Sequence, residues 1–203
     1  NEYRRQRQMC IRDRSLPEVI EIVPLKAPVT ARITVPGSKS ITNRALILAV
    51  LAEGQTTLTG ALWSEDTQIM VEALQALGFP ISVIQDPAEY SNRTIMVKGE
   101  GGVISKMPSE IFVANAGTAA RFLAALLCLG SGAVRLHGID RMHERPQGEL
   151  FCALRALGYN LKSENDKLPV VIHGVGPKSG ECRVSMGESS QFASALLLVA
   201  GAG

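Results

Sequence analysis

Three times along this chain a polar stretch rich in hydrogen-bond donors runs directly into a segment with no polar face. "GSKSITNR" (37–44) opens "ALILAVLA", "NAGTAAR" (115–121) opens "FLAALLCLG", and "GESSQ" (187–191) opens "FASALLLVA". A helix that is apolar around its whole circumference is stable only where protein encloses it on every side. Each of these three segments is therefore predicted to be an inner helix.

The stretches downstream of the first two are also repeated. An alternating segment comes next, "GQTTLTGAL" or "SGAVRLHGI", and then a longer one ending in "EALQALGF" (72–79) or "CALRALGY" (152–159). Ile69, Met70, Ala73, Leu74 and Leu77 form one helical stripe, as do Leu150, Ala153, Leu154 and Leu157, the pattern of a helix that covers a sheet. Pro146 suits the first turn of its helix, where a missing N–H costs nothing. "ISVIQ", "TIMVKG", "NLKSE" and "LPVVIHG" read as strands. The repeat length, about 70 to 80 residues, exceeds that of a solenoid. The prediction is an α/β fold of repeated βαβαββ units with buried inner helices: units about 36–100, 101–175 and 176–203, the last truncated within its inner helix.

Residues 16–35 read as a lead-in segment. Residues 1–15 carry five Arg against one Glu and one Asp, so the net charge of +2 is local and the body is near neutral. That extension has no apolar periodicity and is predicted to be an artefact or disordered. Cys10, Cys128, Cys152 and Cys182 form no CxxC pair, and Cys128 and Cys152 fall in helical apolar runs, which reads as reduced core thiols. The three histidines lack ligand spacing, so neither a metal nor a cofactor is expected. No apolar run reaches the roughly 18 residues of a membrane span.

The three helix mouths are candidate anion sites. A helix N-terminus presents about four free N–H groups and roughly half a positive charge. Gly37, Gly117 and Gly187 would let backbone approach a ligand, and Ser40, Thr118 and Ser190 can cap or donate. Lys39, Arg44, Arg121, Arg141 and Arg145 add cations nearby. Arg121, on an otherwise apolar helix, needs a partner or a wet cleft; Glu144 is one candidate partner, and Glu149 is another for Arg145. The pattern points to a small polyanion. "PGSKS" lacks the upstream Gly of a P-loop, no GxGxxG follows a strand, and "GESSQ" is not a nucleophile elbow.

The motifs "PGSKSITNRALILAVLAEG", "NAGTAARFLAAL", "DRMHERP" and "ESSQFASALL" closely resemble the enolpyruvylshikimate-phosphate synthase family, in order and spacing, from about residue 20 to the end. The resemblance implies an inside-out α/β fold of two lobes. It also implies transfer of the enolpyruvyl group from phosphoenolpyruvate to shikimate 3-phosphate, with release of phosphate. By resemblance, Lys39 and Arg141 hold the phosphoenolpyruvate phosphate with help from the backbone at Gly117 and from Gln191, and Lys39 is the substrate-anchoring catalytic residue. Ser40 and Arg44 take the shikimate carboxylate, Ser189 and Ser190 its phosphate, and Asn115 and Thr118 shape the second mouth. Gly117 would leave room for phosphoenolpyruvate and for glyphosate. The family's chains are about twice this long, so the acid and base groups are expected outside this one, which reads as the first lobe alone and inactive by itself. A cytoplasmic monomer is implied.

Two other readings compete with this one. The sister transferase that acts on a UDP-amino sugar opens with a "GAKN" type motif and uses a loop Cys, whereas this chain has "GSKSITNR" and no Cys between Cys10 and Cys128. A noncatalytic phosphate- or nucleic-acid-binding relative would suit the Arg-rich start. Aromatic residues at 4% and the absence of a basic stripe in the body speak against base stacking and backbone tracking.

Overall fold

A computed structural model describes Val19 and residues 21–202; the basic extension 1–15 lies outside the described residues. The chain divides into two units, Asn1–Ile33 and Thr34–Gly203. The described part of the first has neither helix nor strand, and its Val19, Ile22, Val23, Leu25, Val29 and Ile33 are exposed.

The second unit carries the elements in the order α1 (Lys39–Leu51), β1 (Glu53–Leu62), α2 (Glu65–Ala76), β2 (Ile81–Gln85), β3 (Asn92–Glu100), β4 (Glu110–Phe112), α3 (Gly117–Cys128), β5 (Ser131–His137), α4 (Asp140–His143), α5 (Gly148–Ala156), β6 (Asn160–Lys162), β7 (Val170–Val175) and α6 (Gln191–Val199), closed by a 3-10 turn, Ala200–Ala202. β1, β3 and β2 form an antiparallel sheet in that order. A second sheet runs β4-β5-β7-β6, with β4 parallel to β5 and the other pairs antiparallel. From β4 to β7 the chain adopts the predicted β-α-β-α-β-β order with α4 as an added turn. From α1 to β3 it runs α-β-α-β-β, with no leading strand among the described residues.

The amphipathic stripes land where periodicity put them. Ile69, Met70, Ala73, Leu74 and Leu77 are buried on or at the end of α2, as are Leu150, Ala153 and Leu154 on α5, while Leu157, just past the end of α5, is half-buried. At the start of α2, the Thr67 hydroxyl accepts the Ser64 N–H at 2.9 Å and donates to the Leu62 carbonyl at 2.7 Å, while Glu65 and Asp66 complement the helix dipole. Pro146 sits one residue before the N-cap Gln147 rather than in the first turn, because α4 ends at His143 and the chain must turn before α5.

Only one of the three apolar helices is enclosed on every side. Every residue of α3 is buried, because α1, α2, α6, β5 and β7 all pack around it. In α1, Ile41 and Leu48 are exposed, the latter at 53%, and Leu197 of α6 is 75% exposed. α6 buries mainly the face turned toward α3, whereas α1 packs chiefly on β1, β3 and α2 and touches α3 along a smaller contact. The core-thiol expectation divides in the same way: Cys128 is buried, but Cys152 is exposed on the outer face of α5. Among the described residues no helix is long and apolar enough to cross a membrane.

Candidate functional site

The site is built around the first turn of α3. Arg121, one turn into that helix, is only 5% exposed, and its guanidinium meets neutral oxygens. Its Nη1 donates to Gln191 Oε1 at 2.7 Å and to Ser189 Oγ at 3.4 Å, and its Nη2 donates to the Pro146 carbonyl at 3.2 Å. The group lies over the Phe192 ring, 5.0 Å from its centre, and Nε has no partner. Its pKa is lowered, chiefly by burial and then by Arg145, with Glu188 opposing. Glu144 is not its partner. A buried cation without an ion pair is costly, and an anion entering beside it repays that cost.

Gln191, the first residue of α6, is held at both ends of its amide. Oε1 accepts from Arg121, and Nε2 donates to Thr118 Oγ1 at 3.2 Å. Ser189 Oγ also accepts the Gln191 N–H at 3.2 Å, which winds the start of α6 around its own hydroxyl. The first helix joins from the other side. Arg44 donates to the Ser40 carbonyl at 3.0 Å and to Ser194 Oγ at 3.1 Å, and lies 5.2 Å from the centre of the Phe122 ring. Ser194 in turn donates to the Ser190 carbonyl. Residues from three helices, separated by up to 150 positions, thus form one polar seam.

A depression of about 430 Å³ adjoins the seam, lined by Asn115, Arg141, Glu144, Arg145 and Pro146. Arg145 donates to the Asn115 carbonyl at 3.1 Å and lies flat against Gly117. A Cβ at Gly117 would stand 2.5 Å from Arg145 Nη1 and 2.7 Å from its Cζ. Arg145 therefore does not pair with Glu149, whose carboxylate instead accepts the Ser185 N–H at 3.2 Å. The Arg121 bond to Pro146 links the seam to this depression.

The predicted residues divide accordingly. Arg44, Thr118, Ser189, Ser190 and Gln191 belong to the seam, and Asn115, Gly117 and Arg141 surround the depression. Ser40 contributes its carbonyl. Lys39 is half-exposed and pairs with Asp66 at 3.3 Å. Gly37 serves a different purpose from the one expected of it. The face that lacks a side chain presses on Gly60, Ala61 and Leu62 of β1, and its N–H is spent on Asn92. A larger concavity, about 540 Å³, lies over β5, β6 and β7 and contains none of the candidate residues.

The family model of EPSP synthase (3-phosphoshikimate 1-carboxyvinyltransferase) matches residues 24–203. The chain belongs to the EPSP synthase family. It is 44% identical over 189 residues to the 3-phosphoshikimate 1-carboxyvinyltransferase of Opitutus terrae, covering 91% of this chain and 43% of that one. To the Serratia proteamaculans enzyme of the same name it is 46% identical over 177 residues, covering 86% and 40%. The EPSP synthase structure from Acinetobacter baumannii superposes with a TM-score of 0.71 at 29% identity, covering 82% of this chain and 37% of that one. The chain spans about two fifths of the length of the curated relatives it matches.

In this EPSP synthase family chain, residue pattern alone undervalued Arg121, Arg145 and Ser194. Arg121 carried a readable signal, a cation on a helix whose other residues beyond Thr118 are all apolar. Ser194 carried none, because a serine one turn into an apolar helix commonly bonds back to its own backbone, as it also does here.

Proposed function

We propose that this chain forms one lobe of the enzyme that transfers the enolpyruvyl group of phosphoenolpyruvate to the 5-hydroxyl of shikimate 3-phosphate and releases phosphate. Its share of the work is to bind and orient two anions; it acts as part of a cytoplasmic monomer with no nucleic-acid partner. Lys39 and Arg141, with Gln191 and the Gly117 backbone, take the phosphoenolpyruvate phosphate, and Arg145, lying against Gly117, adds a further cation. Ser40 and Arg44 bind the shikimate carboxylate, Ser189 and Ser190 its phosphate, and Asn115 and Thr118 shape the mouth of α3. Fixed donors aimed at developing negative charge need no reorganisation during the reaction, which is how such a surface lowers a barrier.

The observation that carries this reading is Arg121, buried without an ion pair and bonded to both Gln191 and Ser189. The test is calorimetric titration of the chain with shikimate 3-phosphate, and separately with a short oligonucleotide. Saturable heat with shikimate 3-phosphate, lost in Arg44→Ala, is expected. Heat with the oligonucleotide alone would overturn the reading.

A further inference from the structure

We propose that Asn92 is a positioning residue for the anion-binding turn at 37–44, a role that rests on the function proposed for this lobe. The Gly37 N–H donates to Asn92 Oδ1 at 2.7 Å across 55 positions of sequence. Asn92 is 3% exposed, so no water competes freely for that bond. The backbone of Asn92 is itself pinned: its N–H donates to the Glu89 carbonyl at 2.9 Å, its carbonyl accepts from Asp86 N at 3.2 Å and from Arg93 Nη1 at 2.6 Å, and across the ladder it faces Leu62.

A second strut leaves the same rung. The Leu62 N–H donates to the hydroxyl of Thr42, also buried, at 3.1 Å. Gly37 and Thr42 bracket the Ser38 cap, Lys39 and Ser40, so both ends of that first turn are tied to the Leu62–Asn92 rung. The register of β1 shifts between Leu58 and Ala61, which bulges the strand toward Gly37 where a Cβ would not fit. The apolar side of α1 does not depend on this arrangement, since Leu46, Ile47 and Val50 are fully buried. The two struts therefore set where the first turn points rather than whether the helix exists. A turn fixed before the ligand arrives avoids the ordering cost of binding.

The test compares the wild-type chain with Asn92→Ala and Asn92→Asp. Amide exchange at Gly37, read by NMR without ligand, is expected to accelerate at least about tenfold in Asn92→Ala, with α3 unchanged; Asn92→Asp keeps the acceptor and restores protection. Affinity for shikimate 3-phosphate is expected to fall about tenfold in Asn92→Ala at a temperature where the variant is folded. Unchanged exchange in Asn92→Ala, equal loss of protection in Asn92→Asp, or unchanged affinity despite faster exchange would each overturn the proposal. Thr42→Val, which removes the other strut at similar volume, is read by amide exchange at Leu62 and by the same affinity measurement if Asn92→Ala does not fold. A wild-type chain that takes up neither shikimate 3-phosphate nor phosphoenolpyruvate overturns the proposed function instead, and exchange alone then decides whether Asn92 fixes the turn.

Discussion

Replacing Arg121 by Met separates binding from stability. The change keeps most of the side chain's length and removes the charge. The short bond to Gln191 Oε1, 2.7 Å, is charge-assisted, and its loss costs about 1.5–3 kcal/mol of stability. Against this, the folded state no longer has to desolvate a guanidinium that has no carboxylate partner, a saving of similar size. The two terms oppose each other, so unfolding in urea is expected to shift by no more than about 1–2 kcal/mol. Binding has no such compensation. An anion bonded to the Ser189 hydroxyl, itself 3.4 Å from Nη1, stands roughly 6 Å from the guanidinium; at an effective dielectric constant of about 20 their attraction is about 3 kcal/mol, or roughly a hundredfold in Kd. The assay is titration calorimetry with shikimate 3-phosphate at low salt, beside urea denaturation of the same samples. Arg155→Met is the control, because Arg155 pairs with Asp166 at 2.7 Å and touches none of the candidate residues. A folded Arg121→Met chain whose affinity stays within about twofold of wild type, rather than falling by roughly a hundredfold, would refute the claim that this cation awaits an anion.

Gly117→Ala pushes a methyl group into the Arg145 guanidinium; phosphoenolpyruvate affinity measured by calorimetry is expected to fall about tenfold, with shikimate 3-phosphate affected less. Equal loss for both ligands would mean that Arg145 does not face the phosphoenolpyruvate side. Burial pushes the Cys128 thiol up to about 12. Its folded-state pKa lies above the unfolded value, so the stability it contributes is fully present below about pH 9 and declines as pH rises toward 12. Cys128→Ala should therefore flatten the alkaline arm of a urea-midpoint profile, and an unchanged arm would contradict the burial argument. In the native chain, Cys152, exposed on α5, should react with a maleimide well before Cys128, as peptide mapping would show.

Much of the architecture arises from interactions within a turn or two of the chain. The stripes on α2 and α5, the Ser38 cap and the alternation of β5 depend on residues two to four positions apart, and a linear reading contains those pairs. The same reading exposed Arg121 as misplaced unless it served a purpose, and marked the three polar mouths together with most of the residues that line them.

Partner choice was not legible in this way. The sequence suggested Glu144 for Arg121, whereas the packing of α6 along α3 supplies Gln191 instead, 70 positions away. Lys39 reads as a free cation until the first turn of α2 brings Asp66 to it, and Gly37 reads as a ligand contact until β1 fills the space beside it. Three helices that all read as inner helices end up with different exposure, because among the described residues α3 alone has neighbours on every side. The chain's local chemistry determined which elements form and which ends of them are polar. Which polar group meets which was decided by volume, since side chains far apart in sequence come within hydrogen-bonding distance only when the apolar faces between them close.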